Sequence, residues 1–350
     1  MTDGGQDPLV IARRVASFLE AARETLDLAL YDVRLPSPIA EVVKGAITGA
    51  AQRGVRLRLA YNLDDVRHPK PLPPPPRTEP TLLETLGVPV RGIPGEPDLM
   101  HHKYVIRDGE AVWTGSTNWT ADSWSREENV VVTVDSRELA AHYTRNFEEL
   151  WNTREVDKSG REEPRTVDVG GVPVSAWFCP GQGEDLSHRI AAALGRARRV
   201  RIASPVITSA PVLATLAQIA SDGRCDVAGV VDATQIAQVR QQWHANGNAR
   251  WKLPLLATVF ERGSFTGKVS TPYRPGSVHD YMHAKVTVAD DTVFAGSFNL
   301  SHSGEMNAEN VLEIHDAALA ERLSAFIDEV RSRYQPVRPE SGDPVPPSGG

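Results

Sequence analysis

The chain has 350 residues, 41% of them hydrophobic and 24% charged, which is enough apolar material for one large or two medium globular domains. No run approaches the roughly eighteen apolar residues of a membrane span, and the opening MTDGGQDP is acidic rather than basic, so neither a span nor a secretory signal is expected. A net charge of −7 argues against a surface that clings everywhere to nucleic acid or anionic membrane, while leaving room for a local basic cleft.

In chain order, a helical pattern at Val10 to Arg23 leads into an apolar strand at Leu26 to Val33. A second helix, Ile39 to Arg53, leads into a second strand, Val55 to Tyr61. The proline run 69–76 predicts a stiff exposed loop. A long helix at Leu139 to Trp151 and a polar linker at 153–166 follow. The order then restarts: helix Leu186 to Arg198, strand Val200 to Ile207, helix Ala210 to Ser221, strand Asp226 to Val231, and a final helix at Ala317 to Arg333. Strands alternating with helices predict α/β layers with mixed sheets. Cys179 and Cys225 have no metal-ligand spacing and suit a reducing cytoplasm, and no metal or other cofactor is expected. The tail 336–350 has the composition of a disordered end.

The restart carries polar chemistry. Met100, His101, Lys103, Asp108, Gly115, Ser116 and Asn118 recur as Met282, His283, Lys285, Asp290, Gly296, Ser297 and Asn299. The displacement is 182 residues from histidine to histidine and 181 from asparagine to asparagine, so the second copy is one residue shorter between its aspartate and glycine. Glu128-Asn129-Val130 recurs, again 181 residues on, as Glu309-Asn310-Val311. A period this long is a domain duplication. Core packing repeats apolar positions; it does not repeat His, Lys, Ser, Asn and Glu together.

On a strand, residues two apart share a face, so His101 projects with Lys103 and His283 with Lys285. His102, whose counterpart is Ala284, points the other way and reads as structural. Each half therefore supplies an imidazole, an ammonium and two neutral donors, a set suited to a phosphate. Two histidines facing each other can provide a nucleophile on one side of phosphorus and a proton donor on the other. Glu128 or Glu309 would fix a histidine tautomer; Asp108 and Asp290 support the motif or start the turns that follow it.

H-x-K-x4-D followed by G-S-x-N, present twice, resembles the duplicated signature of the phospholipase D superfamily, and the two halves cover residues 8 to 334. The resemblance implies two pseudo-symmetric α-β-α lobes, 1–153 and 167–335, with one metal-free site at their interface and a phosphohistidine intermediate. It implies His101 as nucleophile and His283 as general acid, with Lys103, Lys285, Asn118 and Asn299 on the phosphate oxygens and Ser116 and Ser297 in support. The retained aspartates set it apart from the tyrosyl-DNA phosphodiesterase branch. It departs from the pattern in the short Asp290 to Gly296 spacing, where Asp291 is a substitute, and in lacking an N-terminal strand to match Val172 to Phe178.

Substrate choice falls to the segments before each His-x-Lys. Residues 240–283 carry six basic against two acidic residues, and residues 62–101 four against six. The first also holds Trp243, Trp251, Phe260, Phe265, Tyr273 and Tyr281, which suit stacked bases or a lipid interface. GSTNWT with EENVVV resembles the small bacterial nucleases and the mitochondrial cardiolipin hydrolase of the superfamily. The leading expectation is a phospholipid-directed phosphodiesterase, hydrolase or transferase; the alternatives are a nuclease on DNA or RNA and a non-catalytic binding module. Oligomeric state is left open.

Overall fold

The computed structural model describes residues 1–63, 83, 85–273 and 277–338. The proline run 69–76 and residues 339–350 lie outside the described residues. The first half contributes β1 (Thr25–Leu30), β2 (Val33–Arg34), β3 (Arg56–Leu63), β4 (Val90–Pro94), β5 (Lys103–Arg107), β6 (Ala111–Gly115), β7 (Trp119–Thr120) and β8 (Val131–Asp135). The second contributes β9 (Thr166–Val169), β10 (Val172–Phe178), β11 (Arg199–Ala203), β12 (Asp226–Asp232), β13 (Ser264–Lys268), β14 (Val286–Ala289), β15 (Thr292–Gly296), β16 (Asn310–His315) and β17 (Gln335–Pro336).

Six strands form one sheet in the order β4-β3-β1-β5-β6-β8, and nine form the other, β17-β13-β12-β11-β14-β15-β16-β10-β9. The series β13-β12-β11-β14-β15-β16 repeats the first sheet strand for strand. In each, the first three strands run parallel and the remaining steps are antiparallel. The extra strand β10 pairs only in the second sheet, against β16, while the first sheet ends at β8. The missing N-terminal strand is thus visible in the fold. Pro336, placed in the tail by composition, instead pairs with β13 beside Gln335.

Period-two alternation sorts side chains to two faces. Leu26, Leu28 and Leu30 of β1 pack against helices Pro8–Glu20 and Ile39–Gln52, while Ala29 faces the opposite core. The first helix starts where Asp7 accepts the Leu9 N–H and Pro8 supplies a fixed φ. Leu19 and Leu26 are fully buried, each contributing about 1.5–3 kcal/mol. On the second sheet Val200 and Ile202 pack against helices Gly183–Arg196 and Ala210–Asp222. One further apolar cluster joins the lobes: Tyr104, Tyr143 and Phe147 from the first meet Val174, Phe178, Val286 and Ile327 from the second.

Composition did not reveal two helices, Ala233–Ala245 and Lys252–Arg262, in the stretch before His283 that reads as loop. Trp243, Phe260 and Phe265 there are buried in the core; Trp251 is 52% exposed.

Candidate active site

Both His-x-Lys segments enter their strands from the boundary between the lobes. Met100 pairs with Ala308 and Met282 with Glu128 as isolated bridges, so each motif is anchored to the opposite half. The His101 N–H donates to the Ala308 carbonyl at 2.9 Å and the His283 N–H to the Glu128 carbonyl at 3.2 Å. One residue upstream, the Met100 N–H donates to Asn62 Oδ1 at 3.0 Å and the Met282 N–H to Asp232 Oδ2 at 3.1 Å. Asn62 and Asp232, at the ends of the matching strands β3 and β12, are positioning residues that the motif alone did not reveal.

The lysines repeat one geometry. Lys103 Nζ donates to the His101 carbonyl at 2.5 Å, and Lys285 Nζ to the His283 carbonyl at 2.7 Å. Tyr31 stands edge-on to the His101 ring, 4.6 Å between centroids, and Lys103 Nζ lies 4.8 Å over the Tyr31 ring.

The histidines differ in what holds Nδ1. His101 Nδ1 is 2.7 Å from Glu309 Oε1 of the other lobe. His283 Nδ1 is 3.1 Å from the Asn129 amide oxygen and 3.4 Å from Glu127 Oε2. Asn129 is itself fixed, accepting from Ser116 Oγ at 2.7 Å and donating to Glu127 Oε2 at 3.2 Å. Glu128, the glutamate expected from the repeat, instead pairs with Lys268 at 3.0 Å and accepts from the Tyr334 hydroxyl.

The reason is a slip of one residue. Gly115 pairs with Val131 and Gly296 with Val311, a displacement of 180 residues on the second strand of each pair against 181 on the first. Asn129, not Glu128, is therefore the counterpart of Glu309. The duplicated Glu-Asn-Val letters align in sequence without aligning in space. The glycines are required, since a Cβ would lie 2.2 Å from the Val130 carbonyl oxygen at 115 and 2.0 Å from that of Asn310 at 296.

Ser116 and Ser297 hold this crossing, accepting from the N–H of Val130 and of Asn310, respectively. Asn118 Oδ1, Asn299 Oδ1 and Glu309 Oε2 are buried without a hydrogen-bond partner among the described residues. Buried polar atoms are normally satisfied, and all three of these are acceptors. His102 is fully buried, with Nδ1 3.1 Å from Asn310 Nδ2 and its ring packed on Tyr104 and Phe178, a structural residue as read from its face.

Asp108 and Asp290 sit at the far end of the motif strand, seven residues or about 23 Å along from the histidines. Both adopt positive φ, 56° and 50°. Asp108 accepts the N–H groups of Arg23, Glu24 and Thr25, and Asp290 those of Arg198 and Arg199. They splice the turn to the preceding helix and strand. Asp290 fills this place despite the shorter spacing, so Asp291 does not substitute for it.

Burial dominates the site's electrostatics. It lowers both histidines, with Lys103 and Lys285 adding to the effect, and pushes Lys103 down to about 7. Burial and the neighbouring Lys103 also lower Lys285. Burial raises Glu309 to about 8 and Glu127 to about 7. Burial of this kind disfavours every charge at the site.

Two mixed-sheet lobes meeting at paired His-x-Lys segments define the phospholipase D fold. Residues 15–151 and 186–331 match the family described as cardiolipin synthase, PLD-like domain, and the chain belongs to that family. It is 32% identical over 139 residues to the mitochondrial cardiolipin hydrolase of Homo sapiens, covering 39% of this chain and 50% of that protein. It is 25% identical over 140 residues to a phospholipase D of Rickettsia felis, covering 40% of this chain and 64% of that one. The chain thus spans about half the length of the curated relatives it matches. Among solved structures, the phosphatidylserine synthase of Haemophilus influenzae superposes over 93% of this chain and 84% of its own with a TM-score of 0.64 at 14% identity, a likeness of fold.

Proposed function

We propose that the chain is a metal-independent phosphodiesterase of phospholipase D type acting on a phospholipid, with residues 1–153 and 167–335 as its lobes. The observation that carries this reading is the crossed pairing of two buried histidines, His101 with Glu309 and His283 with Asn129 and Glu127. With Nδ1–H held by an acceptor, Nε2 of His101 keeps its lone pair for attack, while Nε2 of His283 carries the proton it gives up. His101 Nε2 attacks phosphorus. The bond from phosphorus to the leaving oxygen breaks, and that oxygen takes the Nε2 proton of His283. His283, now neutral, takes a proton from water, whose oxygen attacks the phosphohistidine and frees His101. An alcohol in place of water gives transfer. Glu309, 2.7 Å from His101 Nδ1, favours the cationic phosphohistidine on His101 once it is ionised, and the neutral Asn129 amide leaves His283 the stronger acid. Lys103, Lys285, Asn118 and Asn299 hold the non-bridging oxygens.

The choice of lipid rests on what surrounds His283. The basic residues of the expected positive wall are largely engaged: Lys268 by Glu128 and Asp3, Lys252 by the Thr208 carbonyl, and Arg250 by the His244 carbonyl. Val269 and Val278, in the same stretch, are 66% and 38% exposed, as suits a lipid interface. Among the described residues no helix is long and apolar enough to cross a membrane. The free cysteines fit a cytoplasmic setting.

The test is parallel cleavage of phosphatidylcholine micelles, single-stranded DNA and RNA in chelator. The reading expects lipid cleavage that His101→Asn and His283→Asn each abolish. Selective cleavage of nucleic acid would overturn the lipid assignment, and activity surviving in either variant would overturn the shared site.

A further inference from the structure

The bridges Met100 to Ala308 and Met282 to Glu128 put Ala308 and Glu128 in equivalent places, and each gives its carbonyl to the N–H of a motif histidine. Their side chains differ. Ala308 stops at a methyl group, whereas the fully buried Glu128 carboxylate meets Lys268 Nζ at 3.0 Å and accepts from the Tyr334 hydroxyl. The Asp3 N–H also donates to it, at 3.3 Å. Lys268 has a counterpart of its own. It pairs with Asp232 on β12 as Ile93 pairs with Asn62 on β3, and Asp232 and Asn62 hold Met282 and Met100 in the same way. The His101 side thus carries Ile93 and Ala308, both in the apolar cluster that joins the lobes, where the His283 side carries Lys268 and Glu128.

A buried ion pair gains little stability over an apolar pair of similar volume, and the His101 side shows that this backbone geometry needs no charge. What the charged pair adds is direction. From the end of β13 in the second lobe, Lys268 Nζ reaches three acceptors of the first: Glu128 Oε2, the Arg126 carbonyl at 2.7 Å and Asp3 Oδ2 at 3.1 Å. An ammonium has three donors, so it fixes this segment from several sides at once. Tyr334, just past the helix Ala317–Ser332, holds the other oxygen of Glu128, and its ring centroid lies 5.9 Å from Lys268 Nζ. The residues flanking Glu128 are the ones at the His283 ring, with Glu127 Oε2 and Asn129 Oδ1 standing 3.4 and 3.1 Å from Nδ1.

We infer that Glu128 and Lys268, with Tyr334 as a second hold, form a clamp between the lobes that positions His283 to protonate the leaving group. All three are positioning residues, acting through the backbone and neighbours of His283. The inference rests on the phosphodiesterase reading above, with His283 as the proton donor. Such a donor works only within hydrogen-bond reach of the departing oxygen, about 2.6–3.2 Å, so a small displacement of its ring tells first on leaving groups that need the proton.

The experiment compares the full chain with its Glu128→Ala/Lys268→Ile double variant, which gives the His283 side the pair found on the His101 side. The substrates are methyl p-nitrophenyl phosphate, whose leaving group departs as a stable anion, and methyl phenyl phosphate, whose leaving group has more need of a proton. The variant is expected to melt within a few degrees of the wild type. It should lose about 10²-fold in kcat/KM on the phenyl ester while cleaving the nitrophenyl ester at about the wild-type rate. Tyr334→Phe should move the same ratio in the same direction by a smaller factor, and it decides the matter if the double variant does not fold. Equal losses on both esters, or no loss on either, overturn the clamp while the phosphodiesterase reading stands. A wild type inactive on both esters and on phosphatidylcholine micelles overturns both.

Discussion

Oε1 of Glu309 and Nδ1 of His101 stand 2.7 Å apart across the boundary between the lobes, and the matching position opposite His283 is filled by the amide of Asn129. One lobe thus gives its partner's histidine a carboxylate and receives an amide in return.

Glu309→Gln tests the first half of that exchange. Burial raises Glu309 to about 8, so between its ordinary 4.5 and about 8 the folded chain binds a proton that the unfolded chain has released. Its effect on stability therefore worsens as pH rises through that window and is complete above it. The glutamine variant should match the wild type near pH 4 and melt a few degrees higher at pH 9, while kcat/KM falls about 10²- to 10⁴-fold. Melting curves across pH with parallel kinetics check this; equal pH dependence in both proteins would contradict it.

Asn129→Asp tests the second half. A carboxylate at the 3.1 Å position would raise the pKa of His283, which acts as an acid only while protonated. The alkaline limb of the kcat/KM profile should move to higher pH. A limb that stays in place would remove His283 from the role of proton donor.

Burial pushes Lys103 down to about 7, and an anion beside it would raise it again. An entering anion draws its proton back. Calorimetric titration with inorganic phosphate at pH 8, in buffers of different ionisation enthalpy, should show proton uptake that is reduced in Lys103→Met. Proton release would contradict the account.

Asp108→Ala should separate structure from chemistry. It leaves three N–H groups without their acceptor at a residue held at positive φ, a loss of about 1–3 kcal/mol read by denaturant midpoint. The remaining folded protein should keep its kcat/KM; a loss of turnover without a loss of stability would place Asp108 in the chemistry.

Much of this was legible in the chain. The recurrence of His, Lys, Ser and Asn marks the duplicated site because polar groups seldom repeat in order without shared chemistry, and apolar runs located the strands β1, β3, β11 and β12. The partner of His283 was hidden, because a letter match between Glu128-Asn129 and Glu309-Asn310 conceals a one-residue change of register that only strand pairing fixes. Asn62 and Asp232 escaped notice because their contacts with Met100 and Met282 span 38 and 50 residues. Of the helices before His283, the first buries only Ile236 and Trp243 and so shows little apolar pattern; the second was missed although Leu256, Val259 and Phe260 keep helical spacing.

The most direct test of the central claim is to trap the intermediate. His283→Ala, incubated briefly with substrate and quenched in alkali, should carry a phosphoryl adduct on His101, located by mass spectrometry of its peptide, because the nucleophile remains while leaving-group protonation and water activation are slowed. An adduct on His283 in the His101→Ala variant, with none on His101 in the reciprocal one, would contradict the assignment.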